Sequence, residues 1–260
     1  MATLVSFHAH PDDECIGCGG VIRKAHEDGH RVVLVVATRG ELGEVPDGFL
    51  DDGEELWQRR VVETQASADA LGVDRVEFLG YTDSGMMGEP TNEAPGTFWT
   101  ADVEEAAAKL AAILRDENAD VLTVYDDNGG YGHPDHIQVH RVGVRAAELA
   151  GTPRVYQGSI NRDRALAGRR AFAGQNGLEM PEMPADFGKP EAEMTCAVDV
   201  SAFTDHKRRA MRAHASQISE QSFFLAMPDE AFKFTFGTEW FIRAGQGPGI
   251  TETDLMAGLS

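Results

Sequence analysis

Apolar residues crowd from Thr3 to His8 and again from Arg31 to Ala37, where valine follows valine; between them, Gly17 to Asp28 carries the spacing of a short helix. Apolar runs this short, bounded by turn signals, mark strands buried on both faces. The alternation goes on with a helix from about Gly53 to Leu71, a strand at Arg75 to Leu79, a helix from Ala101 to Glu117 and a strand at Val121 to Tyr125. A helix ending at Ala150 and a strand at Arg154 to Ser159 follow. Strands and helices alternating at this spacing predict an α/β fold, a Rossmann-like and mostly parallel sheet with helices on both faces. In such sheets a ligand sits at the carboxyl ends of the strands.

Three segments break the alternation. Residues 39–53 and 81–100 are rich in Gly, Pro, Asp and Glu, leave the carboxyl ends of predicted strands, and so would rim a pocket there. Residues 162–193 hold Gly, Pro and two methionines in no clear period and read as a lid or insertion within one domain covering 1–260. The end, 245–260, reads as a loose tail.

Composition narrows the partners. A hydrophobic share of 42% in 260 residues is enough for a full core. The 43 acidic against 23 basic residues give a net charge of -20, which repels phosphate backbones and anionic lipid surfaces. Neither nucleic acid nor a membrane is an expected partner, and oligomeric state is left open. No apolar run is long enough to cross a bilayer, and MATLVSF lacks the basic flank of a signal peptide, so the expected address is cytoplasmic. Cys15, Cys18 and Cys196 are expected as reduced thiols.

The candidate chemistry stands in two short stretches, His-Ala-His-Pro-Asp-Asp-Glu at 8–14 and His-Pro-Asp-His at 133–136. Each follows a predicted strand, so both are expected on one edge of the sheet. His10 and Asp13 lie three apart on a tight turn and can share a divalent metal, but two ligands rarely retain zinc. His136 would be the third, leaving a fourth position for water, which is the pattern of catalytic zinc. Singly these residues have ordinary readings: an Asp-Asp pair after Pro commonly starts a helix, and a loop histidine is commonly solvated. Cys15-Ile-Gly-Cys18 has no second pair to close a structural zinc site, and Gly17-Cys-Gly19-Gly20 is not a Gly-x-Gly-x-x-Gly nucleotide loop.

HAHPDDE near the start with GGYGHPDH in mid-chain resembles the PIG-L/LmbE family of zinc-dependent de-N-acetylases. The likeness continues through Arg60-x-x-Glu63 ahead of Ala70-Leu-Gly-Val73, Asp83-Ser-Gly-Met86 and Asp126-Asp-Asn-Gly-Gly130. His214-Ala-Ser-Gln217 is similar to a segment of the family's actinobacterial mycothiol branch. The resemblance implies Zn2+ held by His10, Asp13 and His136, with Asp12 as general base toward the attacking water; Fe2+ and other divalent metals suit the same donors. It implies His133 as an imidazolium that stabilises the oxyanion or protonates the departing amine, with Asp135 orienting it and raising its pKa. Tyr131 matches a residue placed over the oxyanion, and Arg60 and Asp83 match positions that hydrogen-bond sugar hydroxyls. The implied reaction removes an N-acyl group, acetyl above all, from a small amino-sugar conjugate. Two rivals stand beside it: an amidase of mycothiol-type thiol conjugates, and a sugar-binding protein on the same fold that has lost its chemistry.

Overall fold

The computed structural model describes residues 1–172, 183–184 and 186–260. Five strands stand where the apolar runs predict them: β1 (Thr3–His8), β2 (Arg31–Val36), β3 (Arg75–Phe78), β4 (Val121–Tyr125) and β5 (Arg154–Ser159). Two more, β6 (Cys196–Asp199) and β7 (Thr238–Arg243), lie where the sequence pattern assigns no element. Their order in the sheet is β3-β2-β1-β4-β5-β7-β6. The first five pair in parallel, and β7 runs antiparallel to both β5 and β6. The sheet is mostly parallel, as predicted.

The helices are α1 (Asp13–Gly17), α2 (Gly19–Glu27), α3 (Leu56–Leu71), α4 (Val103–Asp116), α5 (Pro134–Ala150), α6 (Arg162–Phe172), α7 (Thr204–Ala213) and α8 (Asp229–Phe236). The helix expected at 17–28 is α2, and the short α1 precedes it, the chain turning between the two at Cys18 (φ -132°). A capping box of Glu55 and Gln58 starts α3, and the Asp102 side chain accepts from Glu105 N–H to start α4.

Side chains of the central strands alternate between two cores. Leu4, Val32, Val121, Tyr156 and Phe241 meet Ile22, Leu71, Met211 and Phe232 on one face, the side of α2, α3, α7 and α8. Val5, Phe7, Val33, Val35, Leu122 and Val124 meet Leu110, Leu114, Val139 and Val142 of α4 and α5 on the other. At Gly143 helix α5 approaches so closely that a Cβ there would stand 2.3 Å from Val124 Cγ1. That approach seats the start of α5 at the end of β4.

The expected lid at 162–193 contains an ordered helix: α6 packs on α8, with Arg164 over the Phe234 ring at 3.5 Å and the Phe172 and Phe234 rings 5.4 Å apart. Residues 173–182 and 185 of the same expectation lie outside the described residues. Where the chain is described again it rejoins the loop after β4, through Gly188 N–H to Gly130 O (2.7 Å) and Lys189 Nζ to Asp127 (2.6 Å). The expected loose tail is a correction. Glu252 bridges Cys196 at the sheet edge, Arg154 Nη1 donates to Leu255 O and Ala257 O, and Leu255 and Met256 are buried in the first core. Two apolar side chains and an unpaired strand edge are enough to dock a segment whose composition suggests none.

Beneath the first face Lys207 of α7 and Glu239 of β7 form a buried ion pair at 2.5 Å. Glu239 also accepts the Gly20 and Val21 N–H groups at 2.8 Å each, so one carboxylate caps the start of α2 and binds it to the sheet. Lys207→Met leaves that carboxylate buried without its cation, and the expected loss in urea unfolding is about 3–5 kcal/mol. A loss below about 1 kcal/mol would mean that the two N–H groups alone hold the charge.

Candidate active site

Between β1 and β4 the strand order reverses: from β1 the chain passes to β2 and β3 on one side, and from β4 to β5 on the other. The carboxyl ends of these two neighbours therefore open a crevice at a topological switch point. His10 to Asp13 follow β1 and His133 to His136 follow β4, so the two motifs meet there.

The turn after β1 is tied to itself. His10 N–H donates to Asp13 Oδ2 at 2.8 Å, and Asp12 sits at φ 97°, a left-handed conformation shared among described non-glycine residues only with Asn118. Across the crevice His133 is the N-cap of α5, its Nδ1 accepting the Asp135 N–H at 3.1 Å. His136 donates from Nδ1 to Gly129 O at 3.2 Å, which leaves its Nε2 lone pair facing the centre.

The donors fit a divalent cation. Bonds of about 2.0–2.1 Å to a tetrahedral ion set its ligand atoms about 3.4 Å apart. Here His10 Nδ1 lies 3.4 Å from Asp13 Oδ2, and His136 Nε2 lies 3.3 Å from Asp13 Oδ1. Charge agrees with distance. Burial opposes a proton on His10, yet the carboxylates of Asp13, Asp135 and Asp83 raise it well above the usual imidazole range. Burial likewise opposes charge on Asp13, and His136 and His10 hold it well below the usual carboxylate range. Three carboxylates converging on one histidine make a surplus of negative charge that a cation would balance. His133 also offers a ligand atom within 4.8 Å of those of His10 and His136, while an Asp13 oxygen lies within 3.4 Å of a nitrogen of each.

The structure corrects the expected partnership of Asp135 with His133. The Asp135 carboxylate instead faces His10 Nε2 at 3.2 Å and accepts from Ser84 N–H (2.9 Å) and Ser84 Oγ. It orients a candidate metal ligand. His133 is not raised but lowered to about 4, by burial first and then by the charges of His10 and His136. Its Nδ1 accepts a backbone N–H, so a neutral ring here would carry its proton on Nε2.

Asp12 is held between opposing effects: burial raises its carboxyl, the Arg60 guanidinium lowers it, Asp13 raises it again, and it comes to about 6. Arg60 is buried, with Nη2 donating to Pro11 O (2.5 Å) and Asp12 Oδ2 (3.3 Å) and Nη1 to Gly40 O (2.9 Å). Those bonds tie Asp12 to the loop after β2, where the resemblance set Arg60 against sugar hydroxyls. Asp83 is likewise engaged, 3.5 Å from His10 Nε2 and accepting the Gly85 N–H at 2.9 Å. Tyr131 is 38% exposed and lies over the crevice with its hydroxyl 3.5 Å from His136 Nε2. All nine residues picked from the sequence thus gather at one place.

Others enter that the sequence reading passed over. Tyr125, the last residue of β4, stacks on His136 with centroids 4.4 Å apart and planes at 19°, and its hydroxyl meets His8 Nδ1 at 2.9 Å. His8 is lowered to about 4 by burial and belongs to a chain through Ser6 Oγ to Thr123 Oγ1. Polar residues facing inward on two adjacent strands were the available signal.

The family described as PIG-L, GlcNAc-PI de-N-acetylase, matches residues 5–147, the stretch that carries both motifs. The 1D-myo-inositol 2-acetamido-2-deoxy-alpha-D-glucopyranoside deacetylase of Acidothermus cellulolyticus is 41% identical over 286 residues, spanning 100% of this chain and 96% of the relative. The enzyme of the same name from Geodermatophilus obscurus is 38% identical over 287 residues, spanning 98% and 97%. Among solved structures, N,N'-diacetylchitobiose deacetylase from Pyrococcus horikoshii shares the fold, with a TM-score of 0.59 at 22% identity over 93% of this chain and 83% of that one. No helix among the described residues is long and apolar enough to cross a membrane. With the family matched over more than half of its length and such relatives over nearly all of it, this chain belongs to the PIG-L de-N-acetylases and is a hydrolase.

Proposed function

We propose that the protein is a zinc-dependent deacetylase that hydrolyses the acetamide of an N-acetylglucosaminyl-inositol glycoside to the free amine and acetate. The observation that carries this reading is a base left free: Asp12 adjoins Asp13, yet its carboxylate contacts Arg60 and neither candidate metal-ligand histidine. Whole-length likeness to deacetylases of that glycoside supports the substrate class.

His10 Nδ1, the Asp13 carboxylate and His136 Nε2 would hold the ion. A bound divalent cation supplies Lewis acidity, lowering the pKa of a water toward ~7 and polarising the amide carbonyl. Asp12 accepts the proton of the attacking water, and Arg60 keeps its carboxylate aimed. His133 donates from Nε2 to the oxygen on which charge develops, and the Tyr131 hydroxyl does so from the solvent side. Asp12 then returns its proton to the departing nitrogen, so that one water is consumed and no covalent enzyme intermediate forms. Asp135 and Tyr125 keep His10 and His136 in place. The cytoplasm, where thiols such as Cys15, Cys18 and Cys196 stay reduced, is the proposed setting.

The test is amine release from a panel holding N-acetylglucosaminyl-inositol, N-acetylglucosamine and N-acylated thiol conjugates, with metal-stripped protein before and after zinc. Zinc-restored release from the inositol glycoside is expected. Preference for the thiol conjugates would make the protein an amidase, and tight zinc binding with every substrate intact would make it a binder.

A further inference from the structure

We propose that His214 is a positioning residue for this reaction: through the Glu14 carboxylate it holds Asp12 in its left-handed backbone conformation and so aims the base. The inference rests on the reading of Asp12 as that base.

Asp12 has a φ of 97°, a conformation that L residues rarely adopt without outside support. Hydrogen bonds to its neighbours supply that support. The Asp12 N–H donates to Glu14 Oε2 at 3.0 Å, and the Asp12 carbonyl accepts from Cys15 N–H at 3.2 Å and Cys15 Sγ at 2.9 Å. Glu14 is fully buried, and its other oxygen, Oε1, accepts from His214 Nε2 at 2.7 Å and from Ser67 Oγ. His214 is also fully buried, and its Nδ1 has no partner, so the ring's one polar contact is with Glu14.

The backbone of His214 is itself anchored. It ends α7, and its carbonyl accepts from Gln217 and Ile218 N–H at 2.9 and 2.8 Å. Ser216 N–H and Oγ bind the Glu63 carboxylate of α3 at 2.8 and 2.6 Å, and Gln217 Nε2 reaches Glu44 O at 3.1 Å. The segment His214-Ala-Ser-Gln217 thus joins the helix that carries Arg60 to the turn that carries Asp12. Glu14, Cys15 and His214 offer ligand atoms close enough for a metal, but the Glu14–His214 contact is already closed at 2.7 Å and the Cys15 thiol is given to Asp12 O. A buried carboxylate between a histidine and a strained N–H is an orienting device, where an apolar pair would pack as well.

Without the His214 donor, Glu14 loses its main partner, the Asp12 N–H loses a fixed acceptor, and the base leaves its line to the water. Misplacement by about 1 Å can lower a rate by about 10²-fold. His214→Ala is therefore expected to lower kcat by about 10–100-fold with KM within about twofold and one metal still bound per chain. His214→Gln, which keeps a side-chain N–H donor, is expected to recover most of kcat, and Ser67→Ala to lose about three- to tenfold. Met211→Ala, a buried change on the same helix, lowers the melting temperature without touching Glu14 and should hold kcat within about twofold.

The proposal is overturned if His214→Ala keeps kcat within twofold of the parent while Asp12→Asn abolishes it. It is also overturned if Met211→Ala lowers kcat as much as His214→Ala. Should His214→Ala fail to fold, an unchanged kcat in Ser67→Ala together with an inactive but folded His214→Gln overturns it. An active Asp12→Asn instead removes the base assignment beneath it.

Discussion

Asp12→Asn is expected to lower kcat for the inositol glycoside by about 10²–10⁴-fold while metal content and melting temperature stay with the parent. Asparagine keeps the shape and can still accept from Arg60 Nη2, which lies 3.3 Å from Asp12 Oδ2. It cannot take a proton. A base works when ionised, so the parent's kcat rises with pH through the Asp12 pKa and then levels. Burial, partly offset by Arg60, sets that carboxyl at about 6, and a divalent cation beside it lowers the value further. The acid limb of the parent profile therefore falls at or below about 6, and the residual rate of the variant lacks it. Retention of the limb in Asp12→Asn would assign proton transfer to another group.

Asp135→Ala is expected to weaken zinc binding by about 10–100-fold in competition with a chelator. The reason lies in His10: its Nε2 faces Asp135 Oδ2 at 3.2 Å, which fixes the ring and turns Nδ1 toward Asp13. Ser84→Ala, which removes the Ser84 Oγ donor from the same carboxylate, should weaken binding in the same direction by a smaller factor. The experiment separates two uses of one residue. If Asp135 served His133, its loss would leave zinc affinity unchanged and alter only the rate.

Both expectations turn on directions of side chains that spacing along a chain does not contain. Asp135 stands two residues from His133, so proximity in sequence suggests the wrong partner. In space its backbone N–H serves His133 and its carboxylate crosses to a residue 125 positions away. Arg60 shows the same limit. Its presence near the site was legible in Arg60-x-x-Glu63, but its hydrogen bonds to Pro11 O, Gly40 O and Asp12 depend on how α3 lies against two loops.

The parallel sheet was legible because a strand buried on both faces must be apolar at nearly every position, and Val32 to Val36 leave no other reading. The meeting of the two motifs was legible because each directly follows a strand, and parallel strands open their carboxyl ends on one side. Beyond residue 160 the local pattern weakens. β6 has four residues, and the docking of 245–260 depends on Leu255 and Met256 finding a core built by distant segments. The sequence by itself determined the kinds of donor, their placement at strand ends and the α/β fold, since these follow from local periodicity and side-chain chemistry. Only the tertiary structure decided which nitrogen faces which carboxylate, that His133 Nδ1 is taken up by a backbone N–H, and that His214 reaches Glu14, since those depend on packing between residues as many as 200 positions apart.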